Sequence, residues 1–459
     1  MQDWIEKEIE QKDVMHLLLK LTLPAVAAQV FNAIYNIVDR IFIGHIEGYA
    51  TETLSGIGLC YPIISLITAF SWLVGMGGAP LLSIALGEHK HEDAKKIQGN
   101  AFGLLVIMGI VITVLCYFKA DTFLIWFGAS EKTLPYARDY LQIYCLGSVA
   151  TLISMGMNPF INAQGRTDIG TFTVAIGAIV NIGLDYLLIF EWGMGIRGAA
   201  IATVVSQVIS TLFVLKILFL SSAVKVHIDR YALQFKWKII KKIYTLGFSS
   251  FVFMANESIV AVVLNWLIRY HVGYTETGDL YIGAMAIITT LSQIFFMPLK
   301  GITQGVQPIV GYCYGALKID KMKQAIKDAK ICAMACSSTF WVVFMVFPFV
   351  IAGFFTSDQA MIDISGYLIR LSYWESFIMG IQMVNQHMFV AMGNAKWSFI
   401  FAMLRKVLLL IPLAVIFAST VGINGIFVAE PVSTIITTII TQFVFQNFLK
   451  QIEKGKRFE

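Results

Sequence analysis

The sequence predicts an all-α integral membrane protein with twelve transmembrane helices in two pseudo-symmetric six-helix lobes. Three observations predict it. Hydrophobic residues make up 57% of the chain and charged residues 14%, about half the charge of an ordinary soluble domain, with a mean hydropathy of +0.73. The apolar residues come in runs of about 20 or more, the length that crosses a hydrocarbon core of ~30 Å. The chain also repeats itself at one fixed offset. A soluble chain of 459 residues would divide into domains with polar surfaces, which this composition cannot build.

Charged or turn-rich breaks divide the apolar runs into helices, in chain order. The first lobe holds Leu17–Ile46, Leu54–Leu86, Ile97–Phe118, Tyr136–Ala163, Thr167–Phe190 and Ile196–Leu220. The second holds Ile239–His271, Leu280–Tyr314, Ala329–Phe355, Ile362–Met392, Ser398–Ala418 and Ile423–Phe448. Several exceed the spanning length, so tilt or extension beyond the bilayer is expected. The acidic, polar start from Met1 to Val14 lacks the basic beginning and cleavage site of a signal peptide, so the first helix is expected to be retained.

Basic residues alternate between the breaks. Lys7 and Lys12 precede helix 1, and Lys90, Lys95 and Lys96 follow helix 2. Lys225, Arg230, Lys236, Lys238, Lys241 and Lys242 lie between helices 6 and 7, and Lys318, Lys321, Lys323 and Lys327 follow helix 8. Residues 44–53 and 419–422 have no basic residue. The positive-inside rule then places both termini in the cytoplasm, which an even number of spans allows. This topology accounts for the net charge of +5, so no nucleic-acid partner is expected.

The repeat is legible in glycines and prolines. Pro80 and Gly87 recur as Pro308 and Gly315, and Gly165 recurs as Gly393, all three at the same offset. The run Gly195-Ile-Arg-Gly198 returns as Gly422-Ile-Asn-Gly425, a single position short of that offset. Such constancy marks a duplication. Six spans return the chain to its starting side, so the copies are parallel and are expected to face each other across a cavity. The expected division is 1–220 for the N-terminal lobe, 221–238 for a cytoplasmic linker and 239–459 for the C-terminal lobe.

Polar residues inside the spans carry the chemistry. A carboxylate at mid-helix costs roughly 2.5–3.5 kcal/mol on insertion scales, so each needs a partner or a purpose. Gln29, Asn32, Asn36 and Asp39 step by three or four along helix 1 and share a face. Asn181 and Asp185 are i and i+4 on helix 5, and Thr203, Ser206 and Gln207 add oxygens on helix 6. Brought together, two carboxylates and neutral oxygens suit a hard monovalent cation, and adjacent carboxylates also let a proton take its place. The alternative is that Asn181 and Asp185 only tether neighbouring helices. Pro24, within helix 1, removes a backbone hydrogen bond and permits either a hinge or a fixed bend.

In the second lobe Glu257, Lys300, Arg405 and Glu430 fall in apolar runs. Two acids and two bases can form a structural charge network or a second ion site. His89 and His91, with Glu88, Glu92 and Asp93, lie in a cytoplasmic turn where charge is ordinary, so no metal is expected there. The six cysteines lack a CxxC and read as buried free thiols. No GxSxG or HExxH occurs within the helices, which argues against an enzyme.

Several motifs resemble the multidrug and toxic compound extrusion (MATE) family of prokaryotic efflux transporters. They are Tyr35-Asn-Ile-Val-Asp39-Arg-Ile-Phe-Ile-Gly44, Asn181-Ile-Gly-Leu-Asp185 with Gly198-Ala-Ala-Ile-Ala-Thr203, and Thr303-Gln-Gly-Val-Gln-Pro308-Ile-Val-Gly311. The resemblance covers roughly Leu17 to Phe448. It implies V-shaped lobes and export of small amphipathic, often cationic compounds in exchange for inward Na+ or H+. It also implies that Asp39, Asn181, Asp185 and Thr203 form the first-lobe cation site. Gln29, Asn32, Asn36 and Gln207 are the candidate substrate-binding residues. Some members carry a coupling aspartate on helix 10, in the stretch matching Met379-Gly-Ile-Gln382, where this chain has no acid. The expectation is a monomeric antiporter of the bacterial inner membrane, in contact with lipid and without a cofactor. A flippase for a lipid-linked precursor is the alternative, although it should line its path with arginines to hold pyrophosphate, and the first lobe has few.

Overall fold

The structure is a computed structural model that describes residues 13–44, 50–126, 134–228, 234–273, 275–356 and 358–454. The side chains of Asn36 and Glu257, both singled out above, lie outside the described residues. Among the described residues there is no β-strand. The helices are α1 (Val14–Gly44), α2 (Ala50–Gly87), α3 (His91–Phe118), α4 (Leu134–Leu146 and Ser148–Ala163), α5 (Thr167–Asp185) and α6 (Gly195–Leu220). The second copy has α7 (Trp237–Val272), α8 (Glu276–Gly315), α9 (Ile319–Val346), α10 (Gln359–Tyr373 and Met379–Ala391), α11 (Ala395–Met403 and Ile411–Val421) and α12 (Ile423–Glu453).

Among the described residues nine of these are single helices long and apolar enough to span, and α4 makes a tenth, its halves meeting at 57°. The remaining two segments are α7, whose central side chains lie partly outside the described residues, and α10, interrupted by a 3-10 turn at Ser376–Ile378. Helix 9 starts at Ile319 rather than at the expected Ala329. Its first turns bury Met322, Ala325 and Ile326 and carry lysines on the other faces, so an amphipathic extension precedes the apolar run. Helix 3 likewise starts at His91 rather than Ile97.

The duplication is visible in backbone geometry. Outside glycine only His89 and Leu317, which the repeat offset relates, have positive φ among the described residues, at 56° and 57°. Gly165 and Gly393 do the same at 81° and 75°, and Gly195 and Gly422 at 53° and 81°. These left-handed positions close the turns after α2, α8, α4 and α10 and open α6 and α12.

Close packing divides the helices into two compact units, Leu23–Phe251 and Val252–Glu459, with the described part of Ile9–Thr22 belonging to the second. Within the first, α2 packs along α4, and α5 along α6. Gly77 and Gly247 let α2 and the start of α7 touch backbone to backbone, so a Cβ on Gly247 would strike the Leu73 carbonyl. Within the second, α8 packs on α9 and α11 on α12. Gly305, the counterpart of Gly77 in the repeat, faces the Thr22 backbone in the same manner.

The linker is partly docked. Val224, Val226 and Ile228 are buried. Gln164 Oε1 accepts from the backbone N–H groups of Lys225 (3.0 Å) and Val226 (2.9 Å), and Gln98 Nε2 donates to the Val226 carbonyl at 3.1 Å. Asn100 holds the far end, donating to the Gln234 carbonyl and accepting from Lys236 N–H at 2.8 Å.

Candidate functional site

The site in the first unit is assembled by register. Thr171 on α5 donates its hydroxyl to the Pro24 carbonyl on α1 at 2.5 Å. Asp185 lies fourteen residues beyond Thr171 and Asp39 fifteen beyond Pro24. With a rise of ~1.5 Å per residue, two helices running in the same direction bring both acids to one level. The Asp39 and Asp185 carboxylates lie within electrostatic range of each other, and neither Asp185 oxygen has a hydrogen-bond partner among the described residues. On the next helix, Ser210 donates to the Thr173 carbonyl at 3.2 Å. The antiparallel run of α6 then brings Thr203 back to the level of Asn181.

Burial at this level is nearly complete. Asp185 and Asn181 are 0% exposed and Thr203 is 7% exposed, whereas Asp39 is half-buried. Neither the amide nitrogen nor the amide oxygen of Asn181 has a hydrogen-bond partner among the described residues. Thr203 donates to the Ala199 carbonyl at 3.0 Å, which leaves its oxygen lone pairs for another group. Tyr140 lies within electrostatic range of Asp39, with Tyr35, Tyr144 and Cys60 around it. Two carboxylates brought close together favour holding one proton between them. The alternative occupant is a cation, for which Asn181 and Thr203 add neutral oxygen ligands.

The remaining sequence candidates are placed differently. Gln207 accepts a hydrogen bond from Ser154 at 2.6 Å, so its carbonyl is already engaged. Gln29 and Asn32 are half-buried on α1. Pro24 is half-buried and its carbonyl is tied to α5 as above. In the second unit Arg405 reaches Glu430 at 3.8 Å. The shorter pair is one the sequence reading missed: Lys406 donates to Glu430 at 2.6 Å. Both bases lie in a π-helical stretch, Leu404–Leu410, within α11. Lys300 is half-buried on α8 and is not among the bases that reach Glu430. A second missed acid, Glu375, is 2% exposed at the break in α10 and lies within electrostatic range of Glu430, Arg405 and Lys406. A search for charge alone would have found Lys406 and Glu375, since both interrupt apolar runs. Among the described residues no group of three His, Cys, Asp or Glu side chains could hold a metal ion.

The MatE sequence family matches this chain twice, over residues 24–187 and again over 254–416, more than half of its length. The chain belongs to the MatE family. The two matched stretches are the two copies of the repeat, and the first contains Asp39, Asn181 and Asp185. The chain is similar to multidrug export protein MepA of Staphylococcus saprophyticus, at 23% identity over 95% of this chain and 94% of that protein. MepA of Staphylococcus aureus strain MRSA252 is 24% identical over 91% of this chain and 90% of its own length. Among solved structures, a MATE protein crystallised with MaL6 matches with a TM-score of 0.90 at 21% identity, covering 99% of this chain and 100% of that one. A transporter of the MOP superfamily from Pyrococcus furiosus matches with a TM-score of 0.89 at 21% identity, over 97% of this chain and 98% of that one. These MatE-family structures share the fold of two six-helix lobes.

Proposed function

We propose that this MatE-family chain is a secondary active antiporter that exports small amphipathic, cationic organic compounds in exchange for inward Na+ or H+. The observation that carries the reading is the meeting of Asp39 and Asp185 in a buried setting with Asn181 and Thr203 at the same level. Such a site stores one positive charge, either a proton shared between carboxyls or a sodium ion among four oxygen ligands. Emptying and refilling it changes the charge on α1 and α5 together. The membrane potential contributes ~2.3 kcal/mol per charge per 100 mV, so coupled cation entry can drive export. Both similar staphylococcal proteins are described as multidrug export proteins, which supports the export of drugs.

We further propose two lobes, 1–220 and 239–459, joined by the linker 221–238, in a monomer of the bacterial inner membrane with both termini in the cytoplasm. The test is efflux of a fluorescent organic cation from proteoliposomes under separately imposed sodium and proton gradients. Efflux driven by one gradient and lost when the two acids are neutralised is the expected result. Efflux that ignores both gradients would overturn the coupling.

A further inference from the structure

Buried polar atoms without partners are concentrated on α10 and α12 in the second unit. Glu375 Oε2, Ser376 Oγ, both amide atoms of Gln382, Asn385 Oδ1, Thr434 Oγ1 and Thr441 Oγ1 have no hydrogen-bond partner among the described residues. Gln382, Asn385, Thr434 and Thr441 are 0% exposed. Buried polar groups are almost always satisfied, and each one left unmade costs about 1–3 kcal/mol. A concentration of them on two packed helices therefore calls for a polar occupant.

The register sets these residues at successive levels along the two helices. α10 and α12 pack against each other, and Asn385 donates to Gln442 Oε1 at 2.8 Å. Lys330 of α9 donates to the same oxygen at 3.0 Å. The helices run in the same direction, so moving back along both places Gln382 near the level of Thr438, and Glu375 near the level of Glu430. Thr434, Thr437, Thr438 and Thr441 share one buried face between these ends. The first copy supplies a contrast. There Ser154 and Gln207 bond directly at 2.6 Å. The repeat puts Gln382 where Ser154 stands and Thr434 where Gln207 stands, and in this copy neither side chain bonds the other.

At the outer end of these levels the charges are unequally matched. Glu430 holds Lys406 at 2.6 Å and Arg405 at 3.8 Å, whereas no described base forms an ion pair with Glu375. Among the described residues, the charged groups within electrostatic range of Glu375 are Arg405 and Lys406 from α11 and Glu430 from α12. From α9, Ser337 and Trp341 bond to the Phe377 and Trp374 carbonyls. From α8 comes Ser292, bonded to Tyr373.

We propose that α10 and α12 enclose a file of bound water, and that this water carries a proton to and from Glu375, a titratable site separate from the Asp39–Asp185 pair. Protonation transfers H+ from hydronium to one carboxylate oxygen and leaves neutral water. The charge summed over Glu375, Glu430, Arg405 and Lys406 then rises by one. Nothing in this inference requires transport, so its test does not depend on the antiporter reading.

The experiment is infrared difference spectroscopy on the purified full chain in lipid nanodiscs, without drug, between alkaline and acidic buffer. A protonated-carboxyl band should appear that Glu375→Gln removes and that Asp39→Asn and Asp185→Asn leave in place. Glu375→Asp should move the band rather than remove it, which separates loss of the proton from loss of the fold. On transfer to heavy water the band should shift promptly in the native chain and fail to shift over the same period in the Gln382→Leu, Thr434→Val double variant. A spectrum that Glu375→Gln does not alter overturns the acid. An equally prompt shift in the double variant overturns the water file.

Discussion

Asp39 and Asp185 each sit within a membrane-spanning helix, and the structure sets their carboxylates within electrostatic range of one another. Replacing either with asparagine keeps shape and hydrogen-bonding atoms but removes the stored charge. Asp39→Asn and Asp185→Asn are each expected to abolish gradient-driven efflux while leaving the melting temperature close to native. Melting curves and proteoliposome efflux check both, and native efflux rates in folded variants would sink the assignment. The second unit behaves differently at this scale. Breaking a fully buried ion pair costs about 3–5 kcal/mol, and Glu430 is 28% exposed, so the lower end applies. Glu430→Gln should lower the melting temperature, and adding Lys406→Met should recover most of the loss. A double-mutant cycle isolates that coupling. Asp39, Asn181, Asp185 and Thr203 stand out in the sequence as polar residues within apolar runs, and the family resemblance grouped them; the burial of Asn181, Asp185 and Thr203 is what the structure adds. The Lys406–Glu430 pair was not legible in the sequence. A π turn rotates Arg405 and Lys406 off the regular helical period, so counting by the ordinary helical repeat does not show which base meets the acid.

At the scale of elements, glycine decides where helices touch. Gly247 lies against the Leu73 carbonyl with no room for a side chain, whereas a Cβ on Gly183 would meet nothing within 4 Å. Gly247→Ala is therefore expected to destabilise by about 1–3 kcal/mol, as overpacking does. Gly183→Ala should be neutral or stabilising by about 0.5–1 kcal/mol through helix propensity. Thermal melts of the two variants side by side test the contrast, and equal effects would contradict the contact. The docked linker gives a second test. In Gln164→Leu the N–H groups of Lys225 and Val226 lose their acceptor, so a cysteine at buried Val226 should react with a thiol reagent much faster than in the native background. Sequence composition showed a basic connector here. It did not show docking, because the amides that hold it, Gln98, Asn100 and Gln164, lie far upstream of their backbone partners.

For the whole molecule, the twelve spans and the duplication followed from two simple counts, apolar run length and a single offset. The paired left-handed positions at His89 and Leu317 were beyond that reading, since neither residue type announces such a backbone. Helix ends on the basic side were read short for a physical reason. Lysines on an amphipathic first turn look like loop when only hydropathy is weighed. Orientation is a matter for chemistry. Lys225 is exposed, and a Lys225→Cys variant should resist an impermeant maleimide added to intact cells and react once the membrane is opened. Rapid labelling from outside would invert the topology.

The docked linker also bears on how such a gene can be cut and rejoined. Where two copies of a module have been fused, the seam is ordinarily the easiest place to insert a tag, split the reading frame or permute the termini. Here the bonds made to Val226 and Ile228 on one side and to Gln234 and Lys236 on the other take much of the connector out of that choice. An insertion within 223–228 must unseat buried backbone from the first copy. The joint between the repeats has itself become part of one of them.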